Sequence, residues 1–207
     1  MNLKQRKVLE LLLSQLDFKL EVVDILDSGN SVGECDYAES TIRVARRVLN
    51  RNRLVAVQPY ELLFSATHET CHAIRYCSCD DDDLQLASQR ELLYSTEKDI
   101  DKVSQLSALK IIYRNELAVD WQAEELLKEL GYWHAKMISC IIDTHMLMHR
   151  YALRISYGAH CGASISRIKG LQFPDLRKAK LDKKALARMT AFMLLHPQYT
   201  VGAPIWE

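Results

Sequence analysis

Neither proline nor glycine occurs between Tyr60 and Tyr76, nor between Leu84 and Leu130. With the strongest backbone breakers missing, nothing local interrupts a helix in either span. Charge of one sign is also missing: 27 Lys and Arg meet 27 Asp and Glu, for a formal net charge of +0. Bulk charge therefore argues for neither a nucleic acid nor a membrane surface as partner. No apolar run approaches the roughly 20 residues that a bilayer-spanning helix needs. The start, Met1-Asn2-Leu3-Lys4-Gln5-Arg6-Lys7 followed by Val8 to Leu13, superficially suggests a signal peptide. Glu10 breaks that short apolar run and no small-residue cleavage site follows, so an amphipathic helix over about 2–16 and a cytoplasmic location are expected. The cysteines at 35, 71, 77, 79, 140 and 161 form no paired framework. Most read as reduced, buried small hydrophobes.

What is present is an H-E-x-x-H pentapeptide, His68-Glu69-Thr70-Cys71-His72. On a helix each residue turns about 100°, so His68 and His72 share one face, one turn apart. Two imidazoles so placed can hold one Zn²⁺, and Glu69 beside them can act on water as general base. The flanks are helix-compatible. Glu61 to Ala66 and Ala73-Ile74 carry apolar residues at helical spacing, and Pro59 stands where a helix start tolerates proline.

Such a metal needs at least one more protein ligand. Asn115-Glu116-Leu117-Ala118-Val119-Asp120 offers two carboxylates one turn apart within a strong helix pattern, closed by Gly131 as C-cap. Glu116 is the candidate third ligand. Asp120 is the candidate partner for the distal N–H of a ligand histidine, where it would fix the tautomer.

These two motifs together resemble the thermolysin-like signature of the gluzincin zinc metallopeptidases, H-E-x-x-H with a later N-E-x-x-x-D. The layout is also similar to the ImmA/IrrE metallopeptidases, over roughly residues 18–130. There a short N-terminal sheet leads into the H-E-x-x-H helix, and a later E-x-x-A-(D/N)-x-x-A-x-x-L-L helix brings the third ligand. Here that pattern reads from Glu116 to Leu127. The resemblance implies His68, His72 and Glu116 as ligands of one zinc per chain, Glu69 as base, and limited cleavage of a protein substrate such as a regulator. The segment between the motifs departs from the pattern in being long and acidic.

The expected fold is α+β and predominantly helical. A small N-terminal antiparallel sheet packs on a zincin-type helix pair, in a metallopeptidase domain over 1–131, and a helical extension follows over 132–207. Lys19 to Ile25 alternates as a strand, and Glu34 to Val44 reads as a hairpin. The sheet edge beside the metal helix could accept an extended peptide. Arg46 to Val55, with Arg46, Arg47, Arg51 and Arg53, reads as a solvated loop or a phosphate contact. Asp80 to Asp83 reads as a solvated loop, since it lacks the spaced ligands of a calcium site. Two helices, or one long broken one, fill 84–130. Trp133 to Tyr157 reads as a helix apolar nearly all round, with His145 and His149 one turn apart as a second metal pair, oxyanion donors or core residues. Cys77 and Cys79 could compete for metal, although Cys-x-Cys is an uncommon zinc spacing. The pair His160-Cys161 lacks a third orienting group for a nucleophile.

Two other readings stay open. The basic segment 167–188, with eight Lys and Arg against Asp175 and Asp182, would suit a DNA-associated metalloprotease or could meet the chain's own acidic stretch. A non-catalytic interaction protein could retain the same fold.

Overall fold

The computed structural model describes residues 1–50, 52–78, 82–95 and 101–156, with the backbone alone at 82–85, 153 and 156. The architecture is α+β and mostly helical. In chain order the elements are α1 (Leu3–Ser14), β1 (Lys19–Val23), β2 (Gly33–Asp36), β3 (Thr41–Ala45), β4 (Arg47–Asn50) and β5 (Arg53–Ala56). Then come α2 (Pro59–Ser78), α3 (Asp82–Tyr94), α4 (Lys102–Glu129), a 3₁₀ turn (Ala135–Met137) and α5 (Ile138–Ser156). The described residues fall into two compact units: those of Met1–Asp80 with Ala118–Cys140, and those of Asp81–Leu117 with those from Ile141 onward.

In the first unit, α1 starts at a reciprocal cap. Asn2 accepts from the backbone of Gln5, and the Gln5 side chain accepts from the backbone of Asn2. Leu9 and Leu13, one turn apart, are its buried face. The sheet that follows has the order β1-β3-β2. Its hairpin, β2 antiparallel to β3, is the one expected between Glu34 and Val44. The expectation of a wholly antiparallel sheet is corrected: β1 pairs parallel with β3.

Two features explain that order. β3 is the most apolar strand, with Ile42, Val44 and Ala45 fully buried, and so takes the centre. Its one half-exposed position, Arg43, lies opposite Glu21 of β1 and Glu34 of β2 in the two registers. The guanidinium reaches Glu21 at 3.5 Å, Glu34 at 3.4 Å and Asp36 at 3.1 Å. A cation on the central strand between carboxylates on both neighbours opposes a one-residue slip of either. The hydrogen bond from the Glu39 backbone, then that from Arg43, holds the Asp36 carboxyl below its ordinary range.

The stretch expected as a solvated basic loop is instead a second hairpin, with β4 antiparallel to β5. Val48 faces Val55 and Leu49 faces Leu54, and Asn52 takes the left-handed conformation near the turn (φ 64°). Those apolar pairs flanking Asn50-Arg51-Asn52 were the legible signal. Solvation was the correct half of the reading, since β5 is exposed throughout. Arg47 at the base of the hairpin is ion-paired to Asp24.

The second unit is helical. Leu86 and Leu93 of α3, Leu106, Leu109, Ile112 and Tyr113 of α4, and Met148, Ala152 and Ile155 of α5 form one buried cluster. Asp82 and Asp83 belong to the first turn of α3 rather than to a loop. A helix N-terminus favours acidic residues, because its free N–H groups present partial positive charge. The apolar set of α5 implied a helix buried nearly all round, and that is corrected, since Ile138 and Leu147 of that helix are exposed. Cys79, Asp80, the basic segment 167–188, the His160-Cys161 pair and the rest of 157–207 lie outside the described residues. No helix among the described residues is long and apolar enough to cross a membrane.

Candidate metal centre

The H-E-x-x-H helix, α2, begins with Pro59 at its first position, where the missing N–H costs nothing. The Glu61 carboxylate turns back to accept from the Gln58 backbone at 3.0 Å, occupying a donor that the helix leaves over. α2 packs against β2, β3 and α1. Its covered face includes Leu63, Phe64, Ala66, Thr67, Thr70, Cys71 and Ala73. The two buried threonines hand their hydroxyl protons to carbonyls one turn back, Thr67 to Leu63 and Thr70 to Ala66, so neither is left unsatisfied.

His68 and His72 lie on one face, as the spacing requires, with ring centroids 4.8 Å apart. Their Nε2 atoms approach to 3.1 Å. Two nitrogens bound to one tetrahedral zinc at ~2.0–2.1 Å would be ~3.3 Å apart, so the rings are aimed at a common point at close to a ligand spacing. His72 is buried and His68 partly so.

α4 presents Glu116 and Asp120 one turn apart. The helix stops where expected, at Gly131 with φ 69°. There Gly131 N–H donates to Lys128 and Tyr132 N–H to Leu127, the paired bonds of a glycine-closed helix end. One ligand atom from each of His68, His72 and Glu116 falls within a group no wider than 4.8 Å. That is the only such His, Cys, Asp or Glu group among the described residues. Two neutral imidazoles and one carboxylate are a donor set that zinc takes, and one that leaves a fourth position for water or substrate.

Asp120 is fully buried, and its Oδ1 lies 2.9 Å from Nδ1 of His68. An ionised carboxylate only accepts, so this contact with an ionised Asp120 requires the proton on Nδ1 of His68 and leaves the Nε2 lone pair toward the shared point. Asp120 therefore stands where the sequence reading put it, behind a candidate ligand. Glu116 has a neighbour the sequence reading missed. Nη2 of Arg90 on α3 is 3.6 Å from Glu116 Oε1. The only signal for it was a basic residue in a mainly acidic stretch.

Glu69 is half-buried between the histidines in sequence, and its side chain lies against β2. A Cβ at residue 33 would collide with Oγ of Ser65 and stand 2.9 Å from Glu69 Cγ and 3.0 Å from Glu69 Oε1. Gly33 is thus the residue whose bareness lets β2 run close over Glu69. An isolated glycine in a strand pattern is a signal for such a close approach.

The cysteines and remaining histidines are placed as follows. Cys71 is fully buried against Val119, Ala123 and Leu126. Burial first, and the Asp120 carboxylate second, push its thiol up to about 12. It stays a neutral thiol near pH 7, which suits packing and not metal ligation. Cys77 is exposed. His145 and His149 are in the second unit, both buried. The Tyr113 hydroxyl is 2.7 Å from His145 Nδ1. His149 is pushed down to about 4 by burial, with Arg150 adding to the effect.

No family model, curated protein or solved structure matches this chain.

Proposed function

We propose that the protein is a zinc-dependent metallopeptidase of the gluzincin type, similar to the ImmA/IrrE peptidases, that makes limited cuts in a protein substrate. The observation that carries this reading is the convergence of His68, His72 and Glu116, with His68 oriented by a buried carboxylate. Zinc held by these three side chains would polarise a scissile carbonyl and bring the pKa of water toward 7.

The chain's own residues supply the rest. Asp120 keeps His68 in the tautomer with Nε2 available and holds its ring in orientation. Glu69 takes the proton from the attacking water and passes it to the leaving amine. β2 is an edge strand of its sheet and passes beside Glu69 at Gly33. An extended peptide added along that edge would gain main-chain hydrogen bonds and run past the base. Limited cleavage and a regulatory substrate are implied by the resemblance alone.

The test is a Glu69→Gln variant beside the parent, assayed for metal content and for cleavage of a protein substrate. The variant is expected to keep its zinc and lose turnover. A biological effect that survives Glu69→Gln unchanged would remove the enzyme reading and leave a partner-binding protein of the same fold.

A further inference from the structure

We propose that the outer edge of β5 is a docking site for an extended, acidic segment of a partner protein, which adds to the β4–β5 hairpin as a third strand. This surface lies outside the candidate metal centre, and the inference does not rest on the metallopeptidase reading.

A two-stranded hairpin has two outer edges, and here they differ. The register sets Arg47 opposite Ala56, Val48 opposite Val55, Leu49 opposite Leu54 and Asn50 opposite Arg53. Just beyond it, Val57 N–H donates to the Arg46 carbonyl, so residues 46 and 57 are a hydrogen-bonded pair. In an antiparallel ladder such pairs alternate with pairs whose N–H and C=O groups point outward. The outward groups are therefore those of Arg47 and Leu49 on β4, and of Leu54 and Ala56 on β5. On β4 the donors are used: Arg47 N–H donates to Asp24 and Leu49 N–H to Gly29. On β5 the outward groups of Leu54 and Ala56 have no partner among the described residues.

That edge is open to solvent. Every residue of β5 is exposed, Leu54 at 50% and Val55 at 45%. Proteins commonly blunt an open edge with proline, a bulge or a covering segment. Arg53–Ala56 contains no proline, and its four consecutive pairs leave no bulge. An edge of this kind takes up another strand, which supplies the missing main-chain partners.

Charge selects what that strand carries. Arg46 to Tyr60 holds four arginines and no Asp or Glu. Arg47 is ion-paired to Asp24, whereas Arg53 is exposed and has no ion pair among the described residues. Side chains alternate along a strand, so Arg53 and Val55 share one face of the hairpin and Leu54 and Ala56 the other. The matching strand has carboxylates on the Arg53 face and apolar side chains on the Leu54 face. A second copy of the chain fits badly, because pairing β5 with itself brings arginines together and no carboxylate. A phosphodiester backbone offers no N–H groups to the carbonyls of the edge. Insertion into a bilayer would strand both kinds of group in hydrocarbon.

The experiment measures, by fluorescence anisotropy, binding of a short labelled peptide alternating glutamate with valine to the full-length chain. One control peptide is N-methylated at its valines, whose N–H groups face β5 in antiparallel addition. A second alternates lysine with valine. The parent is compared with Arg53→Glu and with Ala56→Pro, which removes an outward donor and no hairpin bond. The parent is expected to bind the glutamate peptide and neither control. Each variant is expected to weaken that binding roughly 5–10-fold without lowering the melting temperature. Should Ala56→Pro lower it, the N-methylated peptide decides in its place. No binding of the glutamate peptide overturns the proposal, as does equal binding of its N-methylated form. Full binding by both variants moves the strand to another edge, such as β2, and also overturns it. So does self-association of the parent that Ala56→Pro abolishes, which makes the occupant a second copy. Binding of duplex DNA or phosphatidylserine vesicles in place of the peptide, lost in Arg53→Glu but kept in Ala56→Pro, assigns the arginines to phosphate and overturns it too.

Discussion

The carboxylate of Asp120 sits 2.9 Å from Nδ1 of His68, although 52 residues separate the two in the chain. Asp120 is wholly buried, and an ionised carboxylate is costly to bury unless it is paired and hydrogen-bonded. Within this site the commitment is to one ring nitrogen, which leaves the other for a metal. Asp120→Asn should keep the side-chain volume but lose the charge and the strict acceptor. Zinc affinity is expected to fall roughly 10–100-fold, measured by chelator competition. Unchanged affinity would mean that His68 needs no orienting carboxylate.

Gly33 and Glu69 give a second expectation. In Gly33→Ala the new Cβ would meet Ser65 Oγ and stand 2.9 Å from Glu69 Cγ. Overpacking of this kind costs about 1–3 kcal/mol of stability. The three candidate metal ligands are untouched, so zinc content should be retained while peptide cleavage falls. Adding Ser65→Ala removes the closest collision and should restore the stability but not the cleavage, because the crowding of Glu69 persists. Thermal unfolding and turnover, measured on both variants, separate the two effects.

Thiol reactivity supplies a third. Cys71 is buried with its thiol pushed up to about 12, whereas Cys77 is exposed on the same helix. Brief alkylation of the native chain near pH 8, followed by mass spectrometry, should label Cys77 and spare Cys71. Cys71 should react only once the chain is unfolded. Rapid native labelling of Cys71 would place it in an open site and contradict its packing against α4.

The fourth concerns acid. Burial lowers His149 from its ordinary value to about 4. Between that value and the unfolded histidine's pKa near 6.5, the unfolded chain binds the proton and the folded chain does not. The stability it contributes is therefore complete above about pH 6.5 and lost as pH falls toward 4, on the order of 3 kcal/mol in all. Denaturant unfolding of the metal-free chain between pH 7 and pH 4 should show this slope, and His149→Gln should flatten it. An identical slope in the variant would assign the acid sensitivity elsewhere.

Much of the site was legible because helices make spacing into geometry. His68 with His72, and Glu116 with Asp120, are pairs at one-turn intervals, and each pair falls on one helix face. Pro59 and Gly131 bound those helices for local reasons that a sequence displays. What could not be read was long-range. The parallel pairing of β1 with β3 brings Arg43 between carboxylates of both neighbours, and no local pattern specifies strand order. The β4–β5 hairpin was legible in the Val48-Leu49 and Leu54-Val55 pairs that flank its turn, but its arginines drew the reading toward a solvated loop. The pairing of Arg90 was not legible because its partner lies 26 residues away on another helix.

The central claim is that His68, His72 and Glu116 hold one metal ion between them. Elemental analysis of the purified, untagged chain beside its Glu116→Ala variant tests it most directly. About one zinc per parent chain is expected, largely lost from the variant. Equal zinc in both would move the site away from Glu116. No metal in either, after reconstitution, would contradict the account altogether.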